Sequence, residues 1–317
     1  MKDSKRAAKK RGATKSARRK SPKGEARPVE ITRELLRAMP LPEPREADDK
    51  EARGRVLVVG GGPETPGAAL LAGTAALRAG AGKLQVATYD PLHAATVGVA
   101  LPEARVIPIT FGPHSRMASL DECLRRADAV CVGPGWTSER EHGPLYKLLR
   151  VETRATLVFD SKAVAAYVNS PLKGAYKGRS ILTPNAEESA DLTPGRAKRG
   201  ARELRDDARR AAKDLGAVVV LKGRETFICA PDGREYVNRA GNVGLATSGS
   251  GDVLAGLVAG LAARGADPLA AAVWGVHAHA VAGDVLARRV GALGFLAREL
   301  LEVLPRVLEE LAAGKAS

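Results

Sequence analysis

From Arg55 onward, short β-branched runs alternate with longer stretches whose apolar residues recur at helical spacing. Strands are predicted at Arg55–Val59, Leu84–Thr88, Val106–Thr110, Ala129–Val132, Thr156–Asp160, Ser180–Leu182, Val218–Leu221, Thr226–Ala230 and Glu235–Asn238. Several of the early runs are apolar almost throughout, as a parallel strand covered on both faces requires. Helices are predicted at Pro66–Ala79, Pro91–Val99, Glu139–Leu149, Ala201–Leu215, Asp252–Ala263, Pro268–Arg289 and Leu296–Leu311. This alternation with short connections predicts an α/β fold: a doubly wound, mostly parallel central sheet flanked by helices. The last two strands face each other across Pro231, Asp232 and Gly233, so the sheet is expected to end antiparallel at one edge.

Upstream of Arg55 the pattern changes. Residues 1–30 hold 12 Lys/Arg against 3 Asp/Glu and so carry +9 of the chain's +14. They contain no apolar run to offset the entropy of ordering, and are expected to stay disordered. Such a tail suits salt-sensitive contact with nucleic acid or another polyanion, or is a solvated extension; composition leaves both open. Glu30–Met39 reads as a short amphipathic helix, and residues 40–51 as a Pro- and acid-rich connector. No linker follows, so residues 31–317 are expected to form one domain.

The missing hydrophobic segment excludes a secretory signal, and the lysine clusters argue against a mitochondrial presequence. A cytoplasmic location is expected. Cys123, Cys131 and Cys229 have no disulfide or zinc spacing, which agrees with a reducing compartment. The alanine-rich stretches Val253–Ala263 and Leu269–Gly283 are shorter than a membrane span and read as buried helices.

In open α/β sheets ligands bind beyond the carboxyl ends of the strands. Polar or glycine clusters follow five of the predicted strands: Gly60–Gly62, Gly133–Trp136, Asp160–Lys162, Thr183–Glu188 and Leu221–Arg224. A sixth, Gly241–Asp252, opens a long apolar helix and is the richest in chemistry. Gly249 and Gly251 let the backbone turn closely, and the free N–H groups of the first helical turn would receive a phosphoryl group. Asp252 at its edge could accept a hydroxyl proton; the same donors are expected to depress its pKa. Taken alone, G-S-G-D reads first as a helix cap. Thr65 breaks a dinucleotide-binding G-x-G-x-x-G, Leu84 breaks a Walker A ending, and His277 and His279 stand two apart, which suits packing better than metal ligation.

Taken together, the segments Gly54–Gly82, Val132–Trp136 and Gly241–Gly265 resemble the NAD(P)H-hydrate dehydratases of the ribokinase-like superfamily. The resemblance runs from about Arg55 to the last helix. It implies that ADP or ATP, with Mg2+, phosphorylates the C6 hydroxyl of hydrated NADH or NADPH, after which phosphate is eliminated and the reduced ring restored. Carried over, Asp252 engages the hydroxyl and Gly249 and Gly251 hold phosphate. Lys222, Gly223, Arg224, Glu225 and Thr226 surround the nucleotide's AMP portion. Ala69, Gly135 and Asn185, together with Asp252, contact the hydrate, and Glu188 meets the metal through water. Similar proteins usually carry His where Asn185 stands and a second acid close after Asp160, where this chain has Lys162. They commonly form tetramers or larger homo-oligomers. The epimerase domain often fused to bacterial members is not among the motifs, so a separate epimerase is expected. Two other readings remain open on sequence: a small-molecule kinase of the same superfamily acting on a thiazole, pyrimidine or sugar alcohol, and a non-catalytic nucleotide- or nucleic-acid-binding protein.

Overall fold

The computed structural model describes residues 27–43, 50–109, 118–138, 145–146, 150–192 and 200–313. Its strands are β1 (Val29–Glu30), β2 (Arg55–Val59), β3 (Lys83–Tyr89), β4 (Ala104–Ile109), β5 (Ala129–Val132), β6 (Thr156–Phe159), β7 (Ser180–Leu182), β8 (Val218–Leu221), β9 (Thr226–Cys229) and β10 (Glu235–Asn238). The helices are α1 (Arg33–Ala38), α2 (Gly67–Arg78), α3 (Pro91–Ala100), α4 (Ala118–Arg126), α5 (Lys162–Asn169), α6 (Ala201–Leu215), α7 (Ser250–Ala263), α8 (Pro268–Arg289) and α9 (Ala297–Ala313).

All the strands join one sheet in the order β1-β10-β9-β8-β7-β6-β5-β2-β3-β4. Pairing is parallel from β4 through β8 and antiparallel across β8, β9 and β10, as the turn at Gly233 predicts. Parallel strands put all their carboxyl ends on one edge, so the loops after β2, β5, β6, β7 and β8 converge there. The near-continuous apolar runs match the burial of β2, β5 and β8, which are covered on both faces. One core lies between the sheet and α2, α7, α8 and α9. The other lies between the sheet and α4, α5 and α6.

Small residues govern the first core. A Cβ on Gly256 of α7 would lie 2.1 Å from the carbonyl oxygen of Ala72 on α2, and one on Gly260 2.5 Å from that of Ala76. The two helices therefore meet backbone to backbone, and each begins at the edge where the loops converge. The 22-residue α8 is long and apolar enough to cross a membrane, yet 83% of its most apolar window is buried inside the fold, so it serves as a core helix.

Several expectations are corrected. Val29 and Glu30, assigned to the disordered tail, form β1 and pair with Tyr236 and Val237 of β10. The unpaired backbone groups of an edge strand are enough to order two residues. Residues 1–26 lie outside the described residues. The helix expected from Glu30 begins only at Arg33, where Thr32 Oγ1 accepts from the Leu35 N–H at 3.3 Å. Helix α4 is short and polar and α5 starts inside a cluster taken for loop, so neither stood out in the periodicity. The helix expected at 139–149 lies mostly outside the described residues. At the opposite edge, β4 carries Pro108, which has no N–H to offer outward.

All three cysteines are free and buried, and burial pushes the Cys229 thiol up to about 12. Gly256→Ala should destabilise the fold by about 1–3 kcal/mol, because neither backbone can yield to the added methyl. Gly67→Ala, with open space around its Cβ, should be neutral or stabilise by up to about 1 kcal/mol. Urea unfolding of both variants checks the contrast.

Candidate active site

At the convergent edge, α7 starts abruptly. Gly249 precedes it with φ +86°, a left-handed conformation that side chains rarely adopt. The Ser250 N–H reaches Thr247 O at 3.2 Å and the Val253 N–H reaches Gly249 O at 3.1 Å. Between them, the N–H groups of Gly251 and Asp252 meet no backbone acceptor among the described residues. Two such donors at the positive end of a 14-residue helix are the geometry an anion hole requires.

Asp252 borders that hole. Its Oδ1 accepts from the Gly135 N–H at 3.0 Å, which joins α7 to the loop after β5. That loop needs its glycines: a Cβ on Gly135 (φ +72°) would strike Ala68 and Thr65, and one on Gly133 would lie 2.1 Å from Asp160 O. Beside it stands Asp160 at the end of β6, 1% exposed, accepting on Oδ1 from Thr183 Oγ1 at 2.6 Å and from Lys222 Nζ at 2.8 Å. Glu188 completes the group, with Oε2 3.9 Å from Lys222 Nζ and accepting from the Asn185 N–H at 2.9 Å. Three carboxylates thus surround one ammonium.

The electrostatics correct one expectation. Asp252 is not a weak base: burial, reinforced by the negative charge of Asp160, raises its pKa to about 7 against the pull of the Gly135 N–H and Lys222. Helix-end donors alone would have lowered it, but desolvation outweighs them. Burial likewise raises the Glu188 carboxyl. For Lys222, burial opposes the charge, yet Asp160, Glu188 and Asp252 together more than offset it and raise the pKa.

The other expected site residues divide into two sets. Lys222 turns inward beneath the anion hole, where a Cβ on Gly251 would come 3.4 Å from its Nζ. Gly223, Arg224 and Glu225 form an exposed rim, and Thr226 opens β9. The Glu225 carboxylate is engaged outside the cluster by Arg239 Nε at 2.7 Å. Ala69 is fully buried beneath Gly61, so it shapes the loop rather than facing a ligand. The Asn185 Oδ1 is committed to the N–H groups of Glu187 and Glu188, at 2.8 Å each, which leaves only its Nδ2 for a hydrate. Thr183 and Ser250 escaped notice as individual residues, since only the fold shows what their hydroxyls touch. His277 and His279 are both buried, as packing predicted. Cavities of about 380 Å³ beside Arg264 and Trp274 and about 600 Å³ beside Lys177 and Arg210 lie away from this cluster.

With this geometry in place, comparison with known proteins is decisive. The sequence pattern described as NAD(P)H-hydrate dehydratase matches residues 56–306. The chain belongs to the NAD(P)H-hydrate dehydratase family. The ADP-dependent (S)-NAD(P)H-hydrate dehydratase of Xanthomonas campestris is 44% identical over 288 residues, covering 90% of this chain and 97% of the relative. The ADP/ATP-dependent dehydratase of Bacillus subtilis, crystallised with ATP and Mg2+, is 30% identical with a TM-score of 0.72, covering 89% of this chain and 98% of that one. A ribokinase-like superfamily protein of Enterococcus faecalis superposes with a TM-score of 0.78 at 25% identity, over 90% and 96% of the two chains. The fold is thus ribokinase-like, and in this dehydratase-family chain the first turn of α7, Asp252 and Lys222 lie together at the convergent edge.

Because the pKa of Asp252 is raised on folding, the native state binds more protons than the unfolded chain between about pH 4 and 7. Stability is therefore lost at this residue as pH rises through that window. Asp252→Asn, which keeps an acceptor for Gly135, should raise the melting temperature at pH 8 and have little effect near pH 4. Thermal unfolding across that range checks the sign.

Proposed function

We propose that this chain restores NADH and NADPH from their hydrates, acting as a nucleotide-dependent carbon–oxygen lyase. The observation that carries this reading is the Asp252 carboxylate, half-ionised near neutral pH and held at the rim of an open helix N-terminus. A hydroxyl group on the hydrate is a poor leaving group. In the first step its oxygen bonds to the terminal phosphorus of ADP or ATP, the bridging P–O bond breaks towards the nucleotide, and Asp252 takes the proton. In the second, the ring nitrogen lone pair expels orthophosphate from C6 and a ring proton is lost, which restores the conjugated ring.

The N–H groups of Gly251 and Asp252 receive the transferring phosphoryl group, where oriented dipoles in a partly dry site stabilise charge far better than water does. Lys222 lies beneath them and adds positive charge at the same point, while Gly223–Thr226 form the rim over which the AMP portion would lie. The hydrate is placed on the side of Gly135, with the Asn185 Nδ2 within the same cleft edge. Among the described residues Asp160, Glu188 and Asp252 lie around Lys222 rather than around a common metal position. That arrangement fits Mg2+ carried by the nucleotide's phosphates and reached by Glu188 through water, as such ions are usually held; the ion would neutralise phosphate charge. The same reading includes a homo-oligomeric, cytoplasmic enzyme working beside a separate epimerase.

Incubation with hydrated NADH, Mg2+ and ADP or ATP tests the activity: reduced-nicotinamide absorbance should return with release of orthophosphate. A stable phosphorylated product instead would mark a small-molecule kinase. Asp252→Ala should lower kcat by about 10²- to 10⁴-fold while calorimetric ADP affinity is largely kept. Lys222→Ala should weaken ADP binding without unfolding the chain.

A further inference from the structure

Helix α8 lies behind the loop that leads into the anion hole, and three of its side chains hold that loop. His277 Nδ1 meets Asn238 Oδ1 at 2.8 Å; since Asn238 Nδ2 donates to Ala240 O, the imidazole is the donor. Asp284 accepts from the Gly241 N–H and from Asn242 Nδ2, both at 2.9 Å. The third, His279, is 8% exposed and reaches the first residue of α7. Its Nε2 lies 3.1 Å from Ser250 Oγ and 3.1 Å from Ser250 O.

A carbonyl oxygen can only accept, so Nε2 must carry the proton. One N–H is then shared between both oxygens of Ser250, and the hydroxyl cannot donate back to that nitrogen. Ser250 is 5% exposed and immediately precedes Gly251 and Asp252, whose N–H groups are the unspent donors of the hole. We propose that His279 is a positioning residue of the phosphoryl-transfer site, pinning the peptide and side chain of Ser250 so that the next two amides and the Asp252 carboxylate keep their aim. This inference rests on the proposed function above. Burial holds the imidazole pKa down to about 4, so the neutral, single-donor form persists wherever the enzyme works.

The test uses the full chain with His279→Leu, which removes the donor at similar volume, and His279→Gln, whose amide keeps an N–H. Turnover of hydrated NADH with ADP and Mg2+, calorimetric ADP affinity and melting temperature are read for each. The leucine variant should lose about tenfold or more in kcat, as small misplacements of reacting groups do, and bind ADP more weakly, with KM for the hydrate little changed. The glutamine variant should recover most of both losses. If the leucine variant does not fold, Ser250→Ala, which removes one of the two acceptors, replaces it with the same direction expected. Wild-type kcat and ADP affinity in the donorless variant would overturn the inference. Equal impairment of the leucine and glutamine variants with equally lowered melting would also overturn it, leaving His279 a packing residue only. If the unaltered chain shows no turnover, the proposed function fails, and the ADP affinities alone still decide the role of His279.

Discussion

The hydrogen bond from the Gly135 amide to Asp252 joins the two parts on which the site is built. One is the loop after β5, which can approach only because Gly133 and Gly135 carry no side chain. The other is α7, whose first turn leaves the Gly251 and Asp252 N–H groups without backbone acceptors among the described residues. Neither part is a site by itself: a glycine loop without the carboxylate has no acceptor for a proton, and a helix tip without the loop has no wall. The contact between α2 and α7 holds the arrangement from below, because Gly256 and Gly260 seat one helix backbone against the other. Rigid packing far from the reacting atoms is what keeps the 3.0 Å bond in register.

Charge is distributed with the same economy. Asp160 is deeply buried and held by Thr183 and Lys222 on Oδ1 and by Ser161 Oγ on Oδ2, so its charge acts on the groups around it. Part of that field falls on Asp252, where it adds to desolvation and makes a carboxylate into a base matched to neutral pH. Lys222 moderates the effect and, in the proposed reaction, would supply positive charge to an incoming phosphate. In the proposed reaction Asp160 would thus raise the basicity of Asp252 while Lys222 prepares the place where new negative charge arrives.

Much of the fold was legible because a parallel sheet writes itself as apolar runs at regular spacing. The boundaries of β2, β5, β7, β8 and β10 coincide with the predicted runs. Legibility failed where tertiary context decides: two residues of a charged tail became β1 only because β10 had an open edge, and α4 and α5, of nine and eight residues, are too short to stand out as helical patterns. At the site, glycine and acid positions were readable because the backbone geometry they permit is local. What could not be read was the pairing of Asp160 with Lys222, 62 residues apart, or the burial that sets the direction in which Asp252 shifts. Nor could two histidines be assigned partners before α8 was seen to be buried nearly all round.

The two margins of the sheet share a further property. One ends in a strand of only two residues, the other in a strand bearing Pro108. Short or proline-bearing borders give a neighbouring polypeptide little to hydrogen-bond with, which discourages ribbon-like stacking and runaway association. Contacts between copies of this molecule would accordingly favour helical surfaces and loops over the margins of the β-layer.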